Sequence, residues 1–353
     1  MNERLPAIVL GGTGYVAGEL LRLIAGHPRL EVAAVLSDSQ PGTAIAAAFP
    51  PLRSVYPRLQ FSDIDAIEEC IRRTPRAALF SAAPHGAAAA IIDRLLTVAE
   101  HAKTQVRCVD ISADFRYRDA AAYEAVYKHA HGAPARIREF TCAVPEHLAE
   151  AATLHVAHPG CFATATLLAS VPLLSLGLAE PRFFVTGITG STGSGRRPSE
   201  GTHHPLRHSD LYSYGALSHR HVPEITACAK AATGITAEFN FVPHSGPFAR
   251  GIHVTVQASL KRPTTTAAAL AAMAEFYEGR PFVRVLDTSP RVKEVVTSNY
   301  ANLSAVTNGS SIAVMSVLDN LNKGAAGGAV QWMNRLLGFE ESLGLLAPAP
   351  AWT

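Results

Sequence analysis

The chain has 353 residues, 48% hydrophobic and 17% charged, a composition that excludes disorder and suffices for two domains with their own cores. A net charge of +2 supplies no general field for nucleic acid or an anionic membrane, and no run of about 18 apolar residues is present to span one. Cys70, Cys108, Cys142, Cys161 and Cys228 are odd in number, scattered and without a C-x-x-C pair. They argue against a disulfide framework or structural zinc, and with the lack of a basic-then-apolar leader pattern they lead us to expect a cytoplasmic protein.

In chain order, the apolar run 7–10 reads as a buried strand. It passes into Gly11-Gly12-Thr13-Gly14-Tyr15-Val16-Ala17, after which Leu20, Leu21, Leu23 and Ile24 mark a helix. Gly12, Gly14 and Ala17 satisfy G-x-G-x-x-A between strand and helix, the context a dinucleotide-binding turn requires. Gly12 is expected to permit the tight turn, Gly14 to let backbone approach a pyrophosphate, and Ala17 to keep the helix close to the sheet. A second strand over 31–36 leads to Ser37-Asp38-Ser39-Gln40. An acid there suits the ribose hydroxyls of NAD and hydroxyl groups suit a 2′-phosphate, so local chemistry leaves the cofactor open. A helix over 64–73, a strand over 77–82, Pro84-His85-Gly86, an alanine-rich helix over 87–102 and a strand over 106–111 continue a doubly wound parallel sheet. Ligands in such sheets lie beyond the carboxyl ends of strands, where His85 and Ser112-Ala113-Asp114-Phe115-Arg116 fall. The plainer alternatives are a loop histidine and a local Asp114–Arg116 salt bridge.

Residues 117–139, polar and aromatic, read as a surface excursion. A strand over 154–157 then meets His158-Pro159-Gly160-Cys161. Proline and glycine forbid an ordinary helix up to that point, so the following apolar run should open a helix at or just after Cys161, kinked at Pro172. A thiol there sits in the positive end of the backbone dipole, beside amides that favour thiolate and can receive an oxyanion. The bland alternative is a small buried hydrophobe. After a strand over 183–188, residues 189–197 are too rich in glycine and hydroxyl groups for a regular element; they are either a linker or an anion site ending in Arg196 and Arg197. His203, His204 and His208 share no regular spacing with Cys, Asp or Glu, so no metal site is expected. His219-Arg220-His221 stands just before a helix and offers an acid–base group beside an anion-binding cation. Patterns over 239–242 and 251–260 alternate like antiparallel strands around a loop holding Arg250. A helix over 265–278, a strand over 311–318 and a final helix opened by Asp319-Asn320-Leu321-Asn322-Lys323-Gly324 and reaching 337 complete a second domain and return the chain to the first.

Gly-Gly-Thr-Gly-Tyr, Ala-Pro-His-Gly, Ser-Ala-Asp-Phe-Arg, Pro-Gly-Cys-Phe-Ala-Thr-Ala, His-Arg-His-Val-Pro-Glu-Ile, Ala-Arg-Gly-Ile and Asp-Asn-Leu-Asn-Lys-Gly-Ala-Ala-Gly occur in this order along nearly the whole chain. In that order they resemble the N-acetyl-gamma-glutamyl-phosphate reductase family of the aspartate-semialdehyde dehydrogenase-like superfamily. The resemblance implies a Rossmann-type NADP-binding domain over 1–160, completed by a C-terminal helix over about 320–353, and an α+β catalytic and oligomerisation domain over 161–319. It implies reduction of a small acyl phosphate, N-acetyl-glutamyl 5-phosphate, to the semialdehyde with NADP(H), in arginine biosynthesis, by a homodimer or homotetramer without a metal. Cys161 matches the family nucleophile and His221 its acid–base histidine, with His219 beside it and the two roles exchangeable. Gly11, Gly12, Thr13, Gly14, Tyr15, Val16, Ser37, Ser39, Pro84, Asn320 and Lys323 fall to the cofactor, and Ser112, Arg116, Arg196, Arg220 and Arg250 to the substrate. The family usually has glycine where Ala17 stands and often a basic residue where Asp38 stands, which loosens the preference for NADP over NAD. Thr202-His203-His204-Pro205 also resembles lysine-pathway relatives that reduce an aminoadipyl phosphate held on a carrier protein, and an N-succinyl substrate is a further alternative. The rival from another class is a non-catalytic nicotinamide-binding sensor, because a dinucleotide fold does not by itself imply catalysis.

Overall fold

A computed structural model describes residues 4–352, so the predicted outer limits at 1 and 353 lie outside the described residues. The chain forms two compact units. One runs to Cys142 and adds Glu150–His158 and Ala326–Leu345; the other holds Ala143–Ala149, Pro159–Ala325 and the tail from Leu346. The chain thus enters the second unit earlier than expected, at Ala143, and its last residues count with that unit rather than completing the first.

In the first unit, β1 (Leu5–Leu10), β2 (Leu30–Val35), β3 (Arg76–Ser81), β4 (Gln105–Asp110), β5 (Phe140–Cys142) and β6 (His155–Ala157) form a parallel sheet ordered β2-β1-β3-β4-β6-β5. From Ala77 to Ser81 every residue of β3 is buried, with no alternation, as happens when helices cover both faces of a parallel sheet. The helices are α1 (Tyr15–Ala25), α2 (Ile45–Ala48), α3 (Ile64–Arg72), α4 (Ala88–Ala102) and α5 (Ala120–Tyr127). Asp63 and Asp119 cap α3 and α5, accepting the Ala66 and Ala122 amides at 2.8 Å each. The start of α4 is capped from a distance: Asp114 accepts the Gly86 and Ala89 amides at 2.8 and 3.0 Å.

The expected surface excursion is instead packed. Tyr123 is buried, its ring stacks on Tyr127 at 4.9 Å, His131 and Ile137 are buried, and Phe115 stacks on Phe140 at 4.0 Å. Rings separated by polar residues carry neither a helical nor a strand period, so this burial leaves no pattern to read.

The second unit contains α6 (Cys161–Ser175), α7 (His204–Arg207), α8 (Val222–Thr233) and α9 (Thr266–Phe276). Its strands are β7 (Arg182–Thr189), β8 (Tyr212–Ser213), β9 (Glu238–Ser245), β10 (Ile252–Ser259), β11 (Val283–Val285), β12 (Ala301–Thr307) and β13 (Ser311–Leu318). They make a mixed sheet ordered β11-β12-β13-β10-β7-β9-β8. The two strands read as antiparallel from their alternation flank β7, which runs parallel to β9 and antiparallel to β10. The loop between them bridges the end of β7, with Gly246 donating to the Thr189 carbonyl at 2.8 Å and Gly190 to that of Gly251 at 2.9 Å. Alternation in β7 and β9 leaves one face covered and one open. Against the covered side lies α6, buried at every residue from Phe162 to Leu174. Pro172 does not end that helix, which continues to Ser175. The Leu168 carbonyl, four residues before the proline that has no N–H to give it, accepts the Tyr277 hydroxyl at 2.7 Å instead.

A π-turn, Asn322–Ala326, opens α10 (Gly327–Leu336), which rejoins the first unit against α1 and β4. His27 Nε2 and Asn334 Oδ1 bond at 2.9 Å there. Among the described residues none beyond Leu336 is helical, so the final helix is shorter than expected. Among the described residues no helix is long and apolar enough to cross a membrane.

Candidate functional site

In the first unit the glycine-rich turn lies between β1 and α1. Its tight bend belongs to Gly11, at φ +73°, rather than to Gly12 as the fingerprint suggested. A Cβ on Gly12 would come within 2.7 Å of Val35 and 2.8 Å of the Leu36 carbonyl, so this glycine serves packing against β2. Gly14 differs from both: a Cβ there would meet nothing nearer than the Gly11 carbonyl at 3.5 Å. The chain leaves open space beside the Gly14 backbone, as a ligand lying close to it would need. No side chain caps α1 and no acid stands in its first turn, so the amides around Tyr15 and Val16 begin a helix of the kind that binds phosphate. Thr13 lies within this turn. Ala17 is fully buried, in keeping with a close helix–sheet approach. These features fit a dinucleotide pyrophosphate. At the end of β2, Ser37 is buried and its Oγ accepts the Gln40 amide at 3.2 Å, while Asp38 and Ser39 are exposed.

Pro84 is exposed just before α4. His85 accepts the Ala113 amide on Nδ1 at 2.9 Å, which fixes the neighbouring loop. Ser112 and Arg116, expected at the substrate, make their contacts in and around the loop after β4. Ser112 Oγ donates to Asp110 Oδ2 at 2.6 Å and accepts the Asp114 amide at 3.1 Å. Arg116 is buried, its Nε donating to the His158 carbonyl at 3.0 Å and its Nη2 to that of Ile111 at 2.6 Å. Both side chains hold the loop after β4 together. Burial, with the Asp114 charge adding to it, pushes the Asp110 carboxyl up to about 6 against the hydrogen bonds from Ser112.

In the second unit α6 begins at Cys161, as expected, with Gly160 extended before it and no side-chain cap on the helix. Cys161 is half-buried. The Gly160 amide donates to Glu224 Oε1 at 2.7 Å, and Glu224 is fully buried in the first turn of α8. Phe162 packs edge-on to both histidines, its centroid 5.9 Å from His219 and 6.4 Å from His221. The two imidazoles are 4.7 Å apart, and the His221 amide donates to His219 Nδ1 at 3.2 Å. That bond puts the His219 proton on Nε2. Burial, and then the Arg220 charge, lowers His219 to about 4. Tyr214 lies 5.7 Å from His219, and its hydroxyl is raised above its ordinary value by burial and then by the Cys161 charge. The sequence therefore brings Cys161, His219 and His221 together. It missed Glu224 and Tyr214; Glu224 was visible as an acid opening a helix, but its partner 64 residues away was not.

Against the expectation of no regular element after β7, Ser191–Ser194 form one 3-10 turn, and the segment is not a free linker. Ser191 and Thr192 donate to the Phe248 and Ala249 carbonyls at 2.9 and 3.0 Å, zipping the segment to the loop before β10. Arg196 and Arg220 are exposed, whereas Arg250 is tied by Nε to Asp319 Oδ2 at 2.6 Å. The side chains of Asn320 and Lys323, expected on the cofactor, are spent inside this unit. Asn320 accepts the Gly251 amide at 2.7 Å and donates to Thr192 Oγ1 at 3.0 Å; Lys323 meets Glu146 at 2.6 Å with neither side chain exposed. His208 bonds Ser209 Oγ at 3.0 Å and its ring lies 5.2 Å from His204.

Over residues 6–153 the chain matches the semialdehyde dehydrogenase NAD binding domain, and over 161–320 the semialdehyde dehydrogenase dimerisation domain. It is 38% identical over 346 residues to the N-acetyl-gamma-glutamyl-phosphate reductase of Pseudomonas putida (strain W619). It is 38% identical over 347 residues to the proteins of that name from Ectopseudomonas mendocina (strain ymp) and Azotobacter vinelandii; each of the three matches covers 96% of both chains. Among solved structures it is similar to aspartate semialdehyde dehydrogenase II from Vibrio cholerae complexed with ASA, at TM-score 0.71 and 15% identity. The Candida albicans aspartate semialdehyde dehydrogenase with NADP gives TM-score 0.62 at 13% identity, both likenesses covering 95% of this chain and 99% of the other. At such identities they speak for the fold alone.

Proposed function

The chain belongs to the N-acetyl-gamma-glutamyl-phosphate reductase family, and from that premise we propose that it reduces N-acetyl-L-glutamyl 5-phosphate to the 5-semialdehyde in arginine biosynthesis, using NADPH. The observation that carries the chemistry is Cys161 at the uncapped start of α6, one residue before the ring on which both histidines pack.

The Cys161 thiolate attacks the carbonyl carbon of the acyl phosphate. A C–S bond forms, the bond from that carbon to the phosphate oxygen breaks, and inorganic phosphate leaves a thioester on Cys161. Amides opening α6 receive the oxyanion. Gly11–Val16 would hold NADPH, which would supply the hydride for the reduction. His221 gives the resulting oxygen a proton and takes it back as the C–S bond breaks, releasing the aldehyde and restoring the thiolate. His219 stays neutral at physiological pH because its pKa is lowered to about 4, and donates from Nε2 to orient the substrate oxygen. The exposed Arg196 and Arg220 supply cationic forks for carboxylate or phosphate. The names of the relatives favour the N-acetyl substrate over N-succinyl or carrier-bound forms.

The direct assay is phosphate-dependent oxidation of the semialdehyde by the purified protein, read as NADPH formation. Cys161→Ala should abolish it while leaving NADPH binding intact. Near-normal turnover by that variant would remove Cys161 from the mechanism, and NADPH binding with no turnover by the parent would favour the sensor.

The match to a dimerisation domain and the open sheet face, on which Phe184 and Val306 are half exposed, support self-association into a homodimer or homotetramer. Sedimentation as a monomer would rule this out. Five free cysteines fit a reducing cytoplasm, which labelling of the intact cell's thiols can check.

A further inference from the structure

Lys323 and Glu146 meet at 2.6 Å with both side chains fully buried. A pair like this is weak ground for stability, because desolvation costs about as much as the attraction returns and an apolar pair of similar volume often serves as well. Its place in the fold is more telling. Lys323 sits in the π-helical turn Asn322–Ala326, a rare conformation that is frequent at functional sites. The next residue, Gly324, lies so close to the start of α6 that a Cβ on it would come within 2.7 Å of Cys161 Cβ and 3.0 Å of Cys161 Cα.

The other side of the turn is held as firmly. The Gly324 amide donates to the Asp319 carbonyl at 2.9 Å. The Asp319 carboxylate accepts the Leu321 and Asn322 amides at 2.8 and 3.0 Å, the Thr297 amide, and Arg250 Nε at 2.6 Å. Two buried carboxylates therefore bracket the turn, one at its entry and one reaching in from the segment before α6. We propose that the Lys323–Glu146 pair is a positioning device: it fixes the π-turn so that Gly324 forms a rigid wall against Cys161 and sets where the thiol points. This rests on the reading of Cys161 as the nucleophile.

The test is the double variant Lys323→Met/Glu146→Leu in the full chain, which removes both charges and keeps apolar volume. Its readouts are Tm, kcat, KM, and the rate at which iodoacetamide modifies Cys161, followed across pH by mass spectrometry of the Cys161 peptide. We expect a Tm equal to or above the parent's, with kcat and the Cys161 alkylation rate both down by about tenfold to a hundredfold, the range a misplacement of roughly 1 Å costs. A folded variant with parental kcat and parental alkylation would overturn the proposal. Should it not fold, Glu146→Asp keeps both charges and shortens the arm by one methylene; kcat should fall with KM unchanged, and an unchanged kcat would overturn the proposal equally. Failure of the underlying reading looks different, since Cys161→Ala would then remain active.

Discussion

A histidine held near pKa 4 cannot serve as a charged acid at neutral pH, and this separates two residues that the chain places side by side. His219 is neutral because burial and then Arg220 oppose its protonation, and its Nδ1 is already filled by the His221 amide. It can hold a substrate oxygen but cannot carry a proton back and forth. His221→Asn should therefore lower kcat by about a hundredfold or more, the scale of a lost general acid or base. His219→Asn should act mainly through KM. The opposite pattern of kcat and KM in the two variants would exchange the roles. Cys161 was legible because a Pro-Gly break before an apolar run locates a helix start by local sterics alone. Lys323, Asn320, Ser112 and Arg116 were legible as polar residues in the right motifs, but their partners lie far along the chain, and only the fold shows those side chains turned inward.

The elements that carry these residues were readable where burial has a period and unreadable where it does not. Residues 311–318 alternate, and β13 has those limits. Alternation reports a buried face but not a neighbour, so the place of β7 between β9 and β10 is visible only in the fold. Proline in α6 illustrates the same limit. Its lost N–H was evident from the sequence, whereas the hydroxyl that replaces it comes from Tyr277, 109 residues away from the carbonyl it serves. That hydroxyl also bonds His147 Nε2 at 2.9 Å, so it donates to one group and accepts from another. Tyr277→Phe should leave a buried carbonyl and an imidazole N–H without their partner and cost about 1–3 kcal/mol in urea denaturation. Because the change lies at the middle of α6 and not at its first turn, kcat should stay close to the parent's. A loss below about 0.5 kcal/mol would mean that water or a rearranged neighbour replaces the bond.

Across the whole molecule the buried histidines set the response to acid. Burial lowers His155 in the first unit, and His147 and His219 in the second, to about 4 from an ordinary 6.5. His155 cannot protonate at Nδ1 without losing the Cys108 amide it accepts at 3.1 Å. Between about pH 4 and 6.5 the unfolded chain therefore holds three histidine protons that the folded chain lacks. Asp110 works the other way: raised to about 6 from 3.8, it keeps a proton in the fold that the unfolded chain has released. Over about pH 4.5 to 6 these four groups give three minus one, or two protons in favour of the unfolded state, and His27 and His253, also lowered by burial, add to it in the same direction. Stability should thus be fully present above pH 6.5 and fall as pH drops, on the order of 2–3 kcal/mol per pH unit if the two units unfold together. Below about 4.5, Glu68 and Glu100, held down by hydrogen bonds from Arg94 and Arg136, steepen the fall in the same direction. Urea unfolding measured from pH 8 to 4.5 checks the sign and slope. His155→Gln should flatten the slope by about one proton, and an unchanged slope in that variant would show that His155 titrates alike in the folded and unfolded chains.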